Sequence, residues 1–135
     1  MIILDTSACI DYLNGDENLY KIIEEQDSLI HITAITIYEI NIGLKRTKRK
    51  ISDKRYKFLH KKWLEFINGM QVFPLGTKEA EEASRIYDYL ESTGNLIEDN
   101  DILIAGIMLS NNIEKIITKN VKHLSKIKEL EIISY

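Results

Sequence analysis

The amino-acid sequence predicts an α/β fold with a central, mostly parallel sheet of about five strands and helices on both faces. Short apolar runs alternate along the chain with longer segments whose apolar residues follow helical spacing. Strands joined by helical crossovers form parallel sheets, so this alternation favours a parallel arrangement. The first apolar run, Ile2–Leu4, stops at Asp5, as expected for a buried strand that ends in a carboxylate.

Each predicted strand is a short apolar run bounded by polar or turn-forming residues. The only proline, Pro74, lies near the end of the third run, where a missing N–H group is tolerated. The predicted strands are Ile2–Leu4, Ser28–Ile32, Gln71–Leu75, Lys115–Thr118 and Glu131–Ser134.

The segments between the strands have the apolar spacing of helices, with capping residues or glycines at their ends. Asn14-Gly15, Gly69 and Asn111-Asn112 are stop signals. The predicted helices are Ala8–Leu13, a helix capped by Asp16, a helix capped by Thr33 or Thr36, one or two helices through the basic segment to about Ile67, a helix from Thr77 to about Ser92, and Ile102–Leu109 capped by Asp99 or Asn100, with a short turn around Leu124.

Length and composition fit one compact domain, residues 1–135. Apolar residues make up 44% of the chain, which is enough for a hydrophobic core. No apolar stretch reaches the roughly 18 residues of a membrane span, and the N-terminus lacks the features of a secretory signal. Cys9 is the only cysteine, and a small buried residue is a better interpretation of it than a catalytic thiol. We therefore expect a cytoplasmic protein without membrane attachment.

The distribution of charge is uneven. Ten of the 18 Lys and Arg residues lie between Lys45 and Lys62 with one acid, which leaves eight basic and 20 acidic residues elsewhere. We call the start of this segment the basic arm; it comprises Lys45, Arg46, Lys48, Arg49 and Lys50. The segment also contains the aromatic residues Tyr56, Phe58 and Trp63, which could stack on unpaired bases. Either nucleic-acid contact or a solvated helix face explains the pattern.

Three carboxylates lie at the edges of apolar segments that the fold can bring together. Asp5 ends the first strand, Glu39 is the only charge between Thr33 and Leu44, and Asp101 precedes an apolar helix. Ligands bind at the carboxyl edge of parallel sheets, and clustered oxygen ligands favour Mg²⁺ or Mn²⁺. The alternatives are a helix cap for Asp5, solvent exposure for Glu39 and a helix-dipole interaction for Asp101.

Several neighbouring residues could support these acids. The hydroxyl groups of Thr6 and Ser7 can hydrogen-bond a carboxylate or a metal-bound water, although both could instead form a turn. Thr118 and Asn120 follow the fourth strand, and an Asn there could orient a water or act as a weak ligand. Asp99 is the reserve for Asp101.

Four motifs follow one another along nearly the whole chain. They are Asp5-Thr6-Ser7, Glu39-Ile40-x-x-Gly43, Gly94-x-x-Ile97 leading into Asp101-x-Leu103-Ile104-Ala105, and Thr118-x-Asn120 with Leu124 beyond. This series resembles that of PIN-domain proteins, and the compact length and the ending resemble the VapC-type toxins of prokaryotic toxin–antitoxin pairs.

The resemblance implies an α/β/α fold and Mg²⁺- or Mn²⁺-dependent endoribonuclease activity on single-stranded RNA. By motif, Asp5, Glu39 and Asp101 match the three central acids of the family, as catalytic and metal-binding residues. Asn120 stands where many members have a fourth acid. The resemblance also implies a homodimer and a small antitoxin partner. Gly106 and Leu124 stand where Ala and Phe are frequent, and we expect both differences to be mild.

Three other classes of protein have to be weighed. A phosphoacceptor receiver domain would also be a parallel α/β domain with an acidic Mg²⁺ pocket, but it would need a paired acid after the first strand and an acceptor Asp after a central strand. A haloacid-dehalogenase-type phosphatase would need a second Asp two residues after Asp5, where Ser7 stands. A non-catalytic module that binds nucleic acid or a protein partner is the third reading, and the three intact acids argue against it.

Overall fold

The computed structural model describes residues 1–135 and shows a five-stranded sheet with helices on both faces. The strands are β1 (Ile2–Leu4), β2 (Ile30–Thr33), β3 (Val72–Phe73), β4 (Lys115–Ile117) and β5 (Glu131–Ile133). The helices are α1 (Thr6–Leu13), α2 (Glu17–Glu25), α3 (Ala34–Lys48), α4 (Asp53–Ile67), α5 (Thr77–Ser92), α6 (Asp99–Ser110) and α7 (Val121–Leu124). Every strand pair is parallel, which confirms the predicted fold class.

The order of the strands explains where a site can form. The sheet runs β3-β2-β1-β4-β5, so β1 lies at its centre and the direction of strand addition reverses between β1 and β4. Ligands of open α/β sheets bind beyond the carboxyl ends of the strands at such a switch point. Leu4 of β1 is paired with Ile117 of β4. The next residues, Asp5 and Thr118, are therefore neighbours at that edge.

The core has one layer on each face of the sheet, because successive side chains of a strand point in opposite directions. Ile3 packs with α5 and α6 residues such as Leu90 and Ile107 in one layer. Ile2 and Leu4 belong to the other layer, which includes α1, α2 and α4 residues. Cys9 is fully buried in this second layer, as expected for a structural residue.

Several element boundaries differ from the sequence prediction for local reasons. Helix α1 begins at Thr6, since the Asp5 carboxylate accepts a hydrogen bond from the Ala8 N–H at 2.8 Å and caps the helix. Helix α6 begins at Asp99, so Asp99 and Asn100 are helical residues and the N-cap is Glu98. Strand β3 has only two residues, because its partner β2 ends at Thr33, which pairs with Phe73, and Pro74 then has no N–H group to donate.

The basic segment forms two helices, α3 and α4, separated by Arg49–Ser52. The Ser52 hydroxyl accepts a hydrogen bond from the Arg55 N–H at 3.3 Å and caps α4. Trp63 is only 1% exposed and belongs to the core, so it is not available for base stacking.

No helix combines the length and the hydropathy that a membrane span would require.

Candidate metal and catalytic site

Asp5 lies at the carboxyl end of β1 and is 4% exposed. Its Oδ1 accepts hydrogen bonds from the Ala8 N–H at 2.8 Å and from the Ser7 hydroxyl at 2.7 Å. Its Oδ2 accepts a hydrogen bond from the hydroxyl of Thr118, which is fully buried beyond β4. Residues of α1 and of the β4–α7 connection therefore fix both carboxylate oxygens.

Glu39 reaches the same region from α3. Its Oε1 accepts a hydrogen bond from the Thr6 hydroxyl at 2.7 Å, and the Thr6 and Thr36 hydroxyl oxygens are 3.1 Å apart. Glu39 is half-buried, and Thr36 is fully buried one turn earlier on α3. The carboxylate is therefore tied to the first residue of α1 and is not free on the outer face of its helix.

Asp101 approaches from the first turn of α6. Its Oδ2 accepts a hydrogen bond from the Asn120 side-chain amide at 2.8 Å. The Asn120 backbone N–H donates to the Thr118 hydroxyl oxygen at 2.8 Å. The motif Thr118-x-Asn120 thus forms a local turn whose side chains contact both Asp5 and Asp101.

The electrostatics of these acids show mutual repulsion. Burial raises the pKa of Asp5, hydrogen bonds from Thr118, Ala8 and Ser7 oppose this effect, and the charge of Glu39 raises the pKa further. Burial and then the charge of Asp5 raise the pKa of Asp101, while contact with His123 lowers it. Buried like charges disfavour ionisation, and a nearby cation would relieve that cost.

The donor set fits a hard divalent ion. Asp5, Glu39 and Asp101 offer carboxylate oxygens, and Mg²⁺ is typically held through one or two carboxylates while it keeps several waters. No three His, Cys, Asp or Glu side chains are arranged closely enough to hold an ion by direct contact alone. Because Mg²⁺ keeps several waters, two carboxylates can be enough to hold it without a third direct protein ligand.

Asp99 is not part of this arrangement. It is exposed and lines a groove between α5 and α6 together with Tyr87 and Leu103. The predicted supporting residues that do contact the acids are Thr6, Ser7, Thr118 and Asn120.

Sequence reasoning overlooked two features beside the acids. The His123 Nδ1 atom lies 3.6 Å from Asp101 Oδ2 and 3.1 Å from the Asn120 amide nitrogen. Its spacing of three residues from Asn120, one helical turn, was the only signal in the sequence. The second feature joins Asp11, Lys119 and Tyr135, whose separation along the chain gave no signal.

The basic arm is exposed along its length. Lys45, Arg46 and Lys48 are in the last turn of α3, where cations interact favourably with the helix dipole, and Arg49 and Lys50 follow. None of the five forms a salt bridge. The arm therefore presents unpaired positive charge to solvent.

The aromatic residues near the arm have different environments. The Lys48 ammonium lies 5.2 Å from the centroid of the Tyr56 ring, which itself stacks on His60. Phe58 is 58% exposed, whereas Trp63 is buried. Phe58 is thus the one of the three predicted stacking residues with a widely accessible ring.

The sequence that forms this fold and this acidic site matches a known protein family. Residues 2–130 match the family model of the PIN domain, and this chain belongs to that family. The resemblance predicted from the four motifs is thereby confirmed.

Individual relatives narrow the comparison. The chain is similar to ribonuclease VapC2 of Rickettsia felis, with 24% identity over 130 residues, covering 94% of this chain and 92% of that protein. The structure of Rickettsia felis VapBC2 bound to a DNA fragment from their promoter superposes with a TM-score of 0.85 and 24% identity, covering 100% of this chain and 99% of that one. A toxin–antitoxin complex from Klebsiella pneumoniae gives a TM-score of 0.75 and 16% identity, covering 98% and 96% of the two chains. These structural matches establish a shared fold.

Proposed function

We propose that this chain is a divalent-metal-dependent endoribonuclease that cleaves single-stranded regions of RNA, as the toxin of a VapBC-type toxin–antitoxin pair. The observation that supports the proposal is that the charge of Glu39 acts on Asp5 and the charge of Asp5 acts on Asp101 beside the switch point of the sheet, while each acid accepts a hydrogen bond from another element. Membership of the PIN family and similarity to a protein named as a ribonuclease support the activity.

The acids divide the chemical work by position. Asp5 and Asp101 would hold Mg²⁺ or Mn²⁺ directly, and Glu39 would hold the ion through a water or orient the attacking water. When bound, the ion supplies a water of lowered pKa and positive charge beside the scissile phosphate. The Glu39 side chain is more exposed than that of Asp5, which suits a group that has to contact the incoming water.

The neighbouring hydroxyl and amide groups keep the acids in position. Thr118 and Ser7 donate to Asp5, Thr6 donates to Glu39, and Asn120 donates to Asp101. Partners of this kind orient metal ligands, and their loss typically weakens metal affinity or activity by about 10- to 100-fold.

The basic arm is the surface we assign to RNA. Lys45, Arg46, Lys48, Arg49 and Lys50 are exposed and unpaired, and they extend from α3, the same helix that carries Glu39. Phosphates of a strand bound along this helix would exchange small counterions for fixed cations. The arm would raise the local concentration of RNA beside an otherwise acidic body.

A small antitoxin is the protein partner we propose, together with a homodimer of the chain itself. A groove of about 250 Å³ between α1, α3 and α4 is lined by apolar residues such as Leu13, Leu44 and Trp63, and it extends to Glu39. A peptide segment in this groove would obstruct access to that acid. The proposed activity requires access to cellular RNA, which fits a cytoplasmic protein.

The receiver-domain alternative is disfavoured by the order of the strands. Receiver-like sheets have the order 2-1-3-4-5, which places the third strand beside the first. Here β3 lies at the edge next to β2 only and ends at Phe73, before Pro74. Asp5 directly follows β1, but no acid directly follows β3 that could serve as a phosphoacceptor.

The proposal is tested by cleavage of a fluorophore-labelled single-stranded RNA by Asp5→Asn and Asp101→Asn, with Asp88→Asn as the matched control. Asp88 is an exposed acid of α5. We expect the two site variants to lose cleavage and the control to retain it, with unchanged circular dichroism for all three. Near-wild-type cleavage by either site variant would exclude the ligand assignment, and inactive wild-type protein with divalent ions would favour a non-catalytic binding module.

A further inference from the structure

A second polar cluster lies beside the acids and has no part in the function proposed so far. The Lys119 ammonium is 2.5 Å from Asp11 Oδ2 on α1, and the Tyr135 hydroxyl donates to the same oxygen at 2.6 Å. The Lys119 ammonium also lies 5.7 Å from the centroid of the Tyr135 ring. We call these three residues the Asp11 clamp.

The clamp is better organised than an isolated surface ion pair, which usually contributes little. The Asp11 side chain is 18% exposed, and one of its oxygens receives two donors. Burial acts to raise the pKa of Asp11, but the hydrogen bonds from Lys119 and Tyr135 outweigh it, so its pKa is lowered. Burial and contact with Asp11 raise the pKa of Tyr135, which keeps its phenol protonated as a donor.

Lys119 joins this clamp to the acidic site through the backbone. It stands between Thr118, whose hydroxyl donates to Asp5, and Asn120, whose amide donates to Asp101 at 2.8 Å. The Lys119 N–H donates to the Ser7 hydroxyl oxygen at 3.5 Å, and Ser7 donates in turn to Asp5. The turn that contacts both acids is therefore fastened to α1 by the Lys119 side chain.

We propose that Lys119 is a positioning residue whose attachment to Asp11 and Tyr135 sets the Thr118–Asn120 turn, and with it the relative placement of Asp5 and Asp101 for a divalent ion. The inference rests on the proposed function. It assigns a role in metal binding to a lysine that contacts neither acid through its side chain.

The sign of the effect separates positioning from simple electrostatics. Removal of a positive charge near a cation site lowers repulsion and should strengthen binding of the ion. If Lys119 positions the turn, its removal should weaken binding instead. Lys119→Gln therefore gives opposite results under the two explanations.

The experiment is calorimetric titration of the full chain with Mn²⁺ in the absence of RNA. We expect Lys119→Gln and Asp11→Asn each to weaken Mn²⁺ binding by about 10-fold, as for other partners that orient metal ligands. The double variant should be no weaker than either single one, because both remove the same link. Lys119→Arg should restore most of the affinity.

Lys115→Gln is the matched control. Lys115 is on β4 and has a similarly exposed side chain, 45% against 52% for Lys119, but it pairs with Glu131 at 3.9 Å, away from the clamp. Its Mn²⁺ affinity should equal that of the wild type. Unchanged or tighter binding by Lys119→Gln, or an equal loss in Lys115→Gln, would overturn the inference alone. Absence of Mn²⁺ binding by the wild type would overturn the proposed function with it.

Discussion

At the scale of single residues, Asp5 serves two physical purposes. It caps α1 through the Ala8 N–H, and it offers a buried carboxylate whose pKa is raised first by burial. The two explanations that the sequence allowed for Asp5, a helix cap and a site residue, are compatible in the structure. Asn is about as good a cap as Asp, so Asp5→Asn removes the charge and leaves the helix start intact.

His31 is a buried residue with an expected effect on stability. It is 9% exposed, neither ring nitrogen has a hydrogen-bond partner, and its ring packs edge-on against Phe73. Burial lowers its pKa below 6.5, and the nearby N-terminal amino group lowers it further. Protonation of His31 is therefore more costly in the folded chain than in the unfolded chain.

We predict that His31 makes the fold less stable as the pH falls below 6.5. The unfolded chain then takes up a proton that folded His31 refuses, until the pH reaches the lower pKa of the folded state. The free energy of unfolding in urea should fall less between pH 7.5 and pH 5.5 for His31→Leu than for the wild type. His60→Leu, which removes a half-buried imidazole from α4, is the control. Equal pH dependence of His31→Leu and the wild type would contradict the prediction.

At the scale of elements, the contact between α5 and α6 depends on Gly106. A Cβ atom at this position would lie 2.6 Å from the Cβ and 2.7 Å from the backbone N of Ala83. From the sequence we expected Gly106, in place of the family's frequent Ala, to be a mild difference. In the structure, Gly106 is part of a close helix–helix contact. Gly43 on α3 offers a contrast, since a Cβ there would meet nothing within 4 Å.

We predict opposite effects for the same substitution at these two glycines. Gly106→Ala should destabilise the fold by about 1–3 kcal/mol, since overpacking exceeds the gain in helix propensity. Gly43→Ala should stabilise it by about 0.5–1 kcal/mol, the usual advantage of Ala over Gly in a helix. Urea unfolding measures both free energies. A stabilised Gly106→Ala would show that the helices are not in close contact there.

The basic arm should act on RNA binding and not on chemistry. We predict that Lys48→Ala, Arg49→Ala and Lys50→Ala combined raise the KM and leave kcat nearly unchanged. The dependence of affinity on salt should also flatten, by a slope of roughly 0.7 for each lost phosphate contact on a single strand. Lys128→Ala, an exposed cation outside the arm, is the control. An unchanged salt slope would indicate a solvated face or a protein-binding surface, and antitoxin binding would be measured next.

Sequence patterns were sufficient to locate the strands and long helices but not to fix where each one ends. Apolar runs and stop signals located every strand and long helix, because local periodicity reflects burial on one or two faces. The ends were less accurate where tertiary pairing decides them. Strand β3 is shorter than predicted because its partner β2 ends at Thr33, the residue that pairs with Phe73. Trp63 could not be assigned to the core or to an RNA surface until α4 was packed on the sheet.

At the scale of the whole molecule, both core layers share β1. Ile3 belongs to one layer, and Ile2 and Leu4 belong to the other. Loss of β1 would disrupt both layers, so we predict that residues 1–135 unfold as one cooperative domain. Urea transitions followed by Trp63 fluorescence, which reports the second layer, and by far-UV circular dichroism should coincide. Separated transitions would divide the chain into two folding units.

The site itself was partly predictable from chain order. Residues that follow parallel strands meet at one edge, which is why Asp5, Thr118 and Asn120 could be grouped before the structure was known. Glu39 was noticeable as the only charge in an apolar helix. The Asp11 clamp was not predictable, because its contacts depend on how α1, the turn after β4 and the chain after β5 approach one another. His123 had only its spacing of three residues from Asn120 as a signal, and that spacing alone does not indicate contact with Asp101.

The central claim is that a divalent ion held by Asp5 and Asp101, with Glu39, is required for RNA cleavage. The most direct measurement is cleavage of single-stranded RNA by EDTA-treated protein, before and after dialysis into Mg²⁺, Mn²⁺ or Ca²⁺. Oxygen ligands and the need for an ion that keeps its waters predict activity with Mg²⁺ or Mn²⁺ and little with Ca²⁺. Full activity in EDTA would contradict the account and point to a metal-free ribonuclease mechanism.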